Sequence, residues 1–293
     1  MQPDYQGLHH AIYNADCVEF LSAMPENSVG VSIFSPPFSD LFVYSQSERD
    51  MGNCANHDEF MRHYHFFARE LFRATKPGRI SAVHCSDLPK RKMRDGVIGI
   101  HDFSGDLIRA HEAAGFVLHG RVTIWKDPVI EMQRTKALGL LYKQIQKDSA
   151  RNRPGMPDYM LIFRKDGDNP EPIPQKPDDF PVTQWQEWAS PVWMDVNQTN
   201  VLNGRQAKGE NDEKHICPLQ LDVIERCLTL YSNPGDVVLD PFNGIGSTGY
   251  MAVKMRRKYI GVELKAEYAR QAGRFLAEAE KSQSTLFDCL DAA

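Results

Sequence analysis

The 293-residue sequence predicts a doubly wound α/β fold of three layers, built on a mainly parallel sheet with one inserted region. Three observations predict it. Short apolar runs alternate with longer segments of helical period, the pattern of successive βαβ units. A glycine-rich turn, "DPFNGIGSTG", joins a strand pattern to a helix pattern late in the chain. A polar, basic stretch, residues 127–157, interrupts the alternation between two strand patterns.

Taken in order, the first strands are Ala11 to Asn14 and Val29 to Phe34. The second, "VGVSIF", is nearly continuous apolar sequence, as expected of a strand covered on both faces. A helix is predicted over Asp58 to Ala74, a strand over Arg79 to Cys85, and a helix over Gly105 to Ala114. Strands Val117 to Trp125 and Tyr159 to Arg164 flank the insert. The C-terminal part reads as helix Pro218 to Ser232, strand Val237 to Leu239, helix Ser247 to Met255, strand Tyr259 to Val262 and helix Ala266 to Lys281. Asp166 to Pro181 carries five prolines, many acids and no apolar period, so it is expected as a linker or surface loop. The expected organisation is one domain from residues 1–126 and 158–293, with 127–157 inserted.

Composition narrows the classes. The six cysteines form no CxxC pair, so reduced thiols in a cytosolic compartment are expected and a structural zinc site is not. No apolar run reaches the roughly 20 residues of a membrane span, and the N-terminal stretch lacks the pattern of a secretion signal. A soluble, cytoplasmic protein without a membrane partner is the expectation. The net charge is −5, yet residues 126–165 hold nine bases and four acids, a local +5 that leaves −10 elsewhere. Such an island is either a solvated face or a docking place for a polyanion. "KRKMR" at 90–94 repeats the pattern.

Two motifs carry chemistry. "SPPF", Ser35 to Phe38, stands where strand Val29 to Phe34 ends. Two prolines have no backbone donor and fix φ, so they stop strand pairing and hold the following groups in one rigid, extended shape. The second motif contains Gly244, Gly246 and Gly249 in GxGxxG spacing, with Glu263 at the end of the next strand, 19 residues after Gly244. Glycines permit a tight turn and close approach of a ligand to free amides at a helix start, and a strand-end acid accepts hydrogen bonds from ribose hydroxyls. This loop suits a dinucleotide and S-adenosylmethionine equally.

The pairing of "SPPF" with "DPFNGIGST" resembles the amino-methylating DNA methyltransferases, which carry a (Asp/Asn/Ser)-Pro-Pro-(Tyr/Phe) tetrapeptide and a separate DPFxGxGST cofactor loop. The order of tetrapeptide, basic insert and cofactor loop is similar to the permuted beta arrangement of that family. The resemblance implies a Rossmann-like methyltransferase fold with a target-recognition insert. It also implies S-adenosylmethionine as cofactor, held by Asp16, Asp240, Phe242, Gly244, Gly246, Ser247, Thr248 and Glu263. "NADC" leaves Asp16 two readings, the acid near the cofactor adenine or the N-cap of a following helix.

Under this resemblance Ser35, Pro36, Pro37 and Phe38 are the catalytic residues. The Ser35 hydroxyl and Pro36 carbonyl would accept the protons of an exocyclic amine, and Phe38 would stack on a base flipped from the duplex. Arg134, Lys136, Lys143, Lys147, Arg151 and Arg153 of the insert would bind double-stranded DNA. Family members with Ser at the first tetrapeptide position mostly act on cytosine N4, and those with Asp on adenine N6. Cytosine N4 is therefore expected, with adenine N6 the alternative. A bacterial or phage-encoded enzyme, a cognate restriction nuclease and a homodimer complete what the resemblance suggests. A nicotinamide oxidoreductase would explain the glycine loop without the tetrapeptide, and a non-catalytic DNA-binding module would explain the basic insert alone.

Overall fold

The computed structural model describes residues 1–39, 50–90, 92–129, 142, 146, 155–202 and 218–290. In chain order the strands are β1 (Tyr5–Gln6), β2 (His10–Tyr13), β3 (Val29–Phe34), β4 (Thr75–Ser86), β5 (Leu88–Lys90), β6 (Gly99–His101), β7 (Phe116–Ile124), β8 (Asp158–Lys165), β9 (Val192–Trp193), β10 (Val237–Asp240) and β11 (Lys258–Val262). The helices are α1 (Cys17–Ala23), α2 (His57–Ala74), α3 (Lys92–Asp95), α4 (Phe103–Ala114), α5 (Val182–Trp188), α6 (Leu221–Tyr231), α7 (Ser247–Lys254) and α8 (Ala266–Leu290).

Nine strands form one sheet in the order β1-β2-β11-β10-β3-β4-β8-β7-β9, and β5 pairs with β6 apart from it. The five central strands from β2 to β4 are mutually parallel, while β8 is antiparallel to both β4 and β7. Every residue of β3 is buried, as its nearly continuous apolar sequence requires. Helices α6, α7 and α8 cover one face, where Val31, Ile33, Ala82 and Val238 meet Val223, Ala252 and Ala272. Helices α1, α2 and α4 cover the other, where Phe34, Val83 and Leu239 meet Phe20, Phe67 and Leu107. The result is the three-layered, doubly wound architecture that the alternation predicts.

Side chains set the helix starts. Asp16 accepts from the amides of Val18 and Glu19 and begins α1. Asn56 accepts from the Glu59 amide while Glu59 reaches back to the Ala55 amide, a reciprocal cap on α2. At the edge opposite the strand carboxyl ends, buried Arg79 donates to the carbonyls of Gly30 and Glu171 and pairs with Asp236. With the Lys76–Glu171 ion pair, it ties the proline-rich segment to the sheet as a surface loop. Trp193 is buried, and the Arg226 guanidinium lies over it and over Trp188, so these two tryptophans serve packing. Among the described residues no helix is long and apolar enough to cross a membrane.

Both ends of the insert leave from one place. Ile124, the last residue of β7, is the register partner of Asp158, the first of β8, and Asp158 faces Ser86 at the carboxyl end of β4. The two ends of the insert thus stand together at the sheet edge at which the parallel strands end. The candidate DNA contacts Arg134, Lys136, Lys143, Lys147, Arg151 and Arg153 lie outside the described residues.

Candidate active site

Four adjacent parallel strands end side by side, and each delivers one of the singled-out segments. Beyond β2 comes Asp16, beyond β11 Glu263, at the end of β10 Asp240, and beyond β3 the Ser35 to Phe38 tetrapeptide. This carboxyl-end crevice is where open α/β sheets bind ligands.

The glycine loop is braced by Glu263. Its Oε2 accepts from the Gly244 amide at 2.7 Å and its Oε1 from the Lys265 amide at 2.8 Å, leaving one lone pair on each oxygen. Burial pushes its carboxyl up to about 7, against the pull of those two amides. Burial likewise pushes Asp240 up to about 7, opposed by the Phe242 amide and the Thr248 hydroxyl and helped by the charge of Glu263. Two buried acids beside a helix start are a costly arrangement that hydrogen-bond donors from a ligand would relieve.

The residues present fit S-adenosylmethionine. Ser247 Oγ at the start of α7 is buried without a hydrogen-bond partner. A Cβ on Gly244, at φ +52°, would point into open space. Gly246 behaves differently. At φ +88° its missing Cβ would lie 2.9 Å from Ala272 Cβ and 3.0 Å from Leu276 Cδ1, so this glycine admits α8. Gly249 likewise admits the ring of Tyr259. Phe242 packs into the core, 4.9 Å from the Phe67 ring and 5.7 Å from Phe34, linking the loop to α2 and β3. Asp16 spends Oδ1 on capping α1, while its neighbour Ala15 donates to the Glu263 carbonyl, which keeps the acid beside the crevice.

Pro36 is buried, and Ser35, Pro37 and Phe38 are half-buried. Phe38 sits 6.2 Å from the Phe103 ring and 6.4 Å from the His84 ring. Ser39 follows at φ +54°, a left-handed conformation unusual for serine, with its amide on the Pro37 carbonyl at 3.0 Å. Three further residues belong to the site. Ser35 Oγ lies 3.1 Å from His84 Nδ1, His84 Nε2 lies 3.2 Å from Asp158 Oδ2, and Lys126 Nζ lies 2.6 Å from Asp158 Oδ1. Burial alone would raise the Asp158 carboxyl, but His84 and Lys126 outweigh it and hold the group well below the usual carboxylate range. The sequence signal for His84 is a single imidazole near the carboxyl end of a strand pattern. Nothing in the spacing connects it to Asp158 or Lys126.

A family model for N6/N4 methyltransferases, described as DNA methylase, matches residues 29–274. The Type II methyltransferase M1.MboII of Moraxella bovis is 25% identical over 279 residues, which cover 92% of this chain and 97% of that protein. The DNA adenine methyltransferase YhdJ of Escherichia coli (strain K12) is 28% identical over 163 residues, 55% of this chain and 53% of its own. Among solved structures, the putative DNA modification methylase TTHA0409 of Thermus thermophilus, complexed with S-adenosyl-L-methionine, superposes with a TM-score of 0.68 at 23% identity, covering 92% and 94% of the two chains. The cytosine-N4-specific PvuII DNA methyltransferase gives 0.68 at 21% identity over 94% and 88%. These two likenesses establish the fold. With the family match spanning most of the sequence, the chain belongs to the N6/N4 family of S-adenosylmethionine-dependent DNA methylases.

Proposed function

We propose that this chain methylates the N4 amine of cytosine in double-stranded DNA. The observation that carries the reading is the hydroxyl of Ser35, the first residue of the tetrapeptide, held against His84 at the strand end beside the cofactor loop. Adenine N6 is the second reading, favoured by the likeness to YhdJ, a DNA adenine methyltransferase.

When bound, S-adenosylmethionine supplies an electrophilic methyl group. Asp240, Glu263, Ser247, Thr248 and the Gly244 backbone would hold it, and the rest falls to other side chains. An exocyclic amine is a weak nucleophile because its lone pair is delocalised into the ring. Acceptors on its protons favour the pyramidal form that attacks. His84 Nε2 makes no hydrogen bond, yet it lies 3.2 Å from the ionised Asp158, whose charge favours the tautomer protonated there and leaves Nδ1 to accept the Ser35 hydroxyl proton. The lone pairs of Ser35 Oγ are then free to accept from the amine. The Pro36 carbonyl is the other acceptor, and the rigid prolines keep the two in register. Phe38 offers a face to the flipped base, whose stacking offsets part of an unstacking cost of a few kcal/mol.

The basic insert, rooted at the same sheet edge, is proposed to read the duplex. The Type II relatives make a nuclease that cuts the same site the proposed biological partner. The test is incubation of duplex DNA with labelled S-adenosylmethionine, followed by digestion to nucleosides and mass spectrometry. N4-methylcytosine is the expected product, and N6-methyladenine alone would overturn the cytosine assignment.

A further inference from the structure

Behind the tetrapeptide, three side chains from three elements converge. His57 is the first residue of α2, His101 the last of β6, and Asp106 lies in the first turn of α4. His57 Nε2 and Asp106 Oδ2 are 2.9 Å apart, His101 Nε2 and Asp106 Oδ2 are 2.6 Å apart, and the two Nε2 atoms are 3.1 Å apart. Their side chains are 25%, 30% and 19% exposed, so the cluster is open to solvent.

With the carboxylate ionised, no placement of protons makes all three contacts favourable. If both imidazoles donate to the ionised carboxylate, two N–H groups oppose each other across 3.1 Å. If only one donates, the bare nitrogen of the other faces a carboxylate oxygen. A cation at the centre satisfies every atom at once. Three ligand atoms on one face of an octahedron with bonds of about 2.1 Å stand about 3.0 Å apart, close to the separations here. The outer contacts are also those of a metal site. Ser39 Oγ holds His57 Nδ1 at 2.9 Å, which leaves Nε2 for the ion, and Arg109 holds the other Asp106 oxygen at 2.5 Å.

We propose that His57, His101 and Asp106 bind a divalent transition-metal ion. Two imidazoles with one carboxylate suit zinc, cobalt, nickel, manganese or iron, and disfavour magnesium and calcium. Because Ser39 follows Phe38 directly and bonds to a ligand, the bound ion fixes the backbone just beyond the tetrapeptide. The residues act by positioning, and the ion takes no part in methyl transfer.

The experiment titrates chelator-treated, tag-free protein with Co²⁺ by visible absorption and with Zn²⁺ by calorimetry. One equivalent of each is expected, with d–d bands from the bound Co²⁺ and no displacement by Mg²⁺. His101→Gln and Asp106→Asn should each weaken Zn²⁺ binding by more than about 100-fold, and Ser39→Ala, which removes an orienting partner only, by about 10- to 100-fold. Folding of the variants is checked by their S-adenosylmethionine affinity, since that loop lies on other strands. Failure of the wild type to bind either ion, or unchanged affinity in the folded His101 and Asp106 variants, would overturn the site.

Discussion

Ser35 Oγ and His84 Nδ1 stand 3.1 Å apart although 49 residues separate them in the chain. The contact exists because β3 and β4 are parallel neighbours in register, with Phe34 opposite Val83, so the residue just past the end of β3 meets a residue near the end of β4. The hydroxyl proposed to receive the amine is thus set by a ring on another strand.

Replacing His84 should therefore slow methyl transfer without loosening the cofactor. His84→Ala is expected to lower kcat by on the order of 10²-fold, the cost of misplacing a reacting partner, with S-adenosylmethionine affinity within about twofold of wild type. Asp158→Asn should fall between, since it frees the tautomer but keeps the ring. Single-turnover rates and equilibrium binding check this, and a parallel loss of cofactor affinity would mean that His84 supports the fold alone.

Glu263 and Asp240, both pushed up to about 7 by burial, predict a pH effect. Without ligand, the folded protein keeps protons that the unfolded chain releases near pH 4. Stability from these groups therefore falls as pH rises from about 4 to 7 and is level above. Donors from a ligand ribose favour the charged form, so binding expels protons. Cofactor affinity should rise as pH approaches about 7 and level off above, by at most about tenfold per unit for each proton released. Calorimetry in buffers of different ionisation enthalpy measures that proton count, and Glu263→Gln should reduce it.

Gly244 and Gly246 have opposite surroundings and should fail in opposite ways. Gly244→Ala meets open space and pays only the left-handed backbone penalty of about 1–2 kcal/mol, while its methyl intrudes on the ligand side. Gly246→Ala adds close contacts with α8, the nearest at 2.9 Å, an overpacking cost of about 1–3 kcal/mol beyond the same penalty. Thermal melts should show the larger loss for Gly246, and cofactor titration the larger loss for Gly244 relative to its change in stability.

Neutralising Arg151 and Arg153 together tests the insert. If both arginines meet phosphates, the slope of log affinity against log salt on duplex DNA should become shallower by about 2, equally on every sequence. A guanine contact would instead relax preference at one position, at about 1–3 kcal/mol. Unchanged binding under all salt conditions would assign the basic excess to a solvated face.

Residues acting through their own element were legible in the sequence. The apolar runs that became β3, β4, β8, β10 and β11, and the tetrapeptide that follows β3, signal themselves by local pattern. Asp16 was legible as a cap because its partners are two and three residues away. His84, Asp158 and Lys126 were not, because their meaning arises from register across β4, β7 and β8, which no local period encodes. The short β5–β6 hairpin and helices α3 and α5 escaped for a related reason, being too brief to establish a period. Gly246 shows a packing role that its spacing hides. Its spacing reads as ligand approach, and its neighbours are Ala272 and Leu276, about thirty residues downstream.

The pairing of Ile124 with Asp158 makes the insert a closed excursion from a fixed stem. Closing a longer or shorter loop on such a stem changes its entropy only slowly, by about 0.6 kcal/mol per doubling of length. Selection can therefore exchange the excursion as a cassette while the chemistry at its base stays in place. With the excursion as the proposed reader of the duplex, a lineage carrying this scaffold is free to acquire new target sequences without re-inventing the reaction, provided Lys126 and Asp158 at the two ends of the cassette are kept.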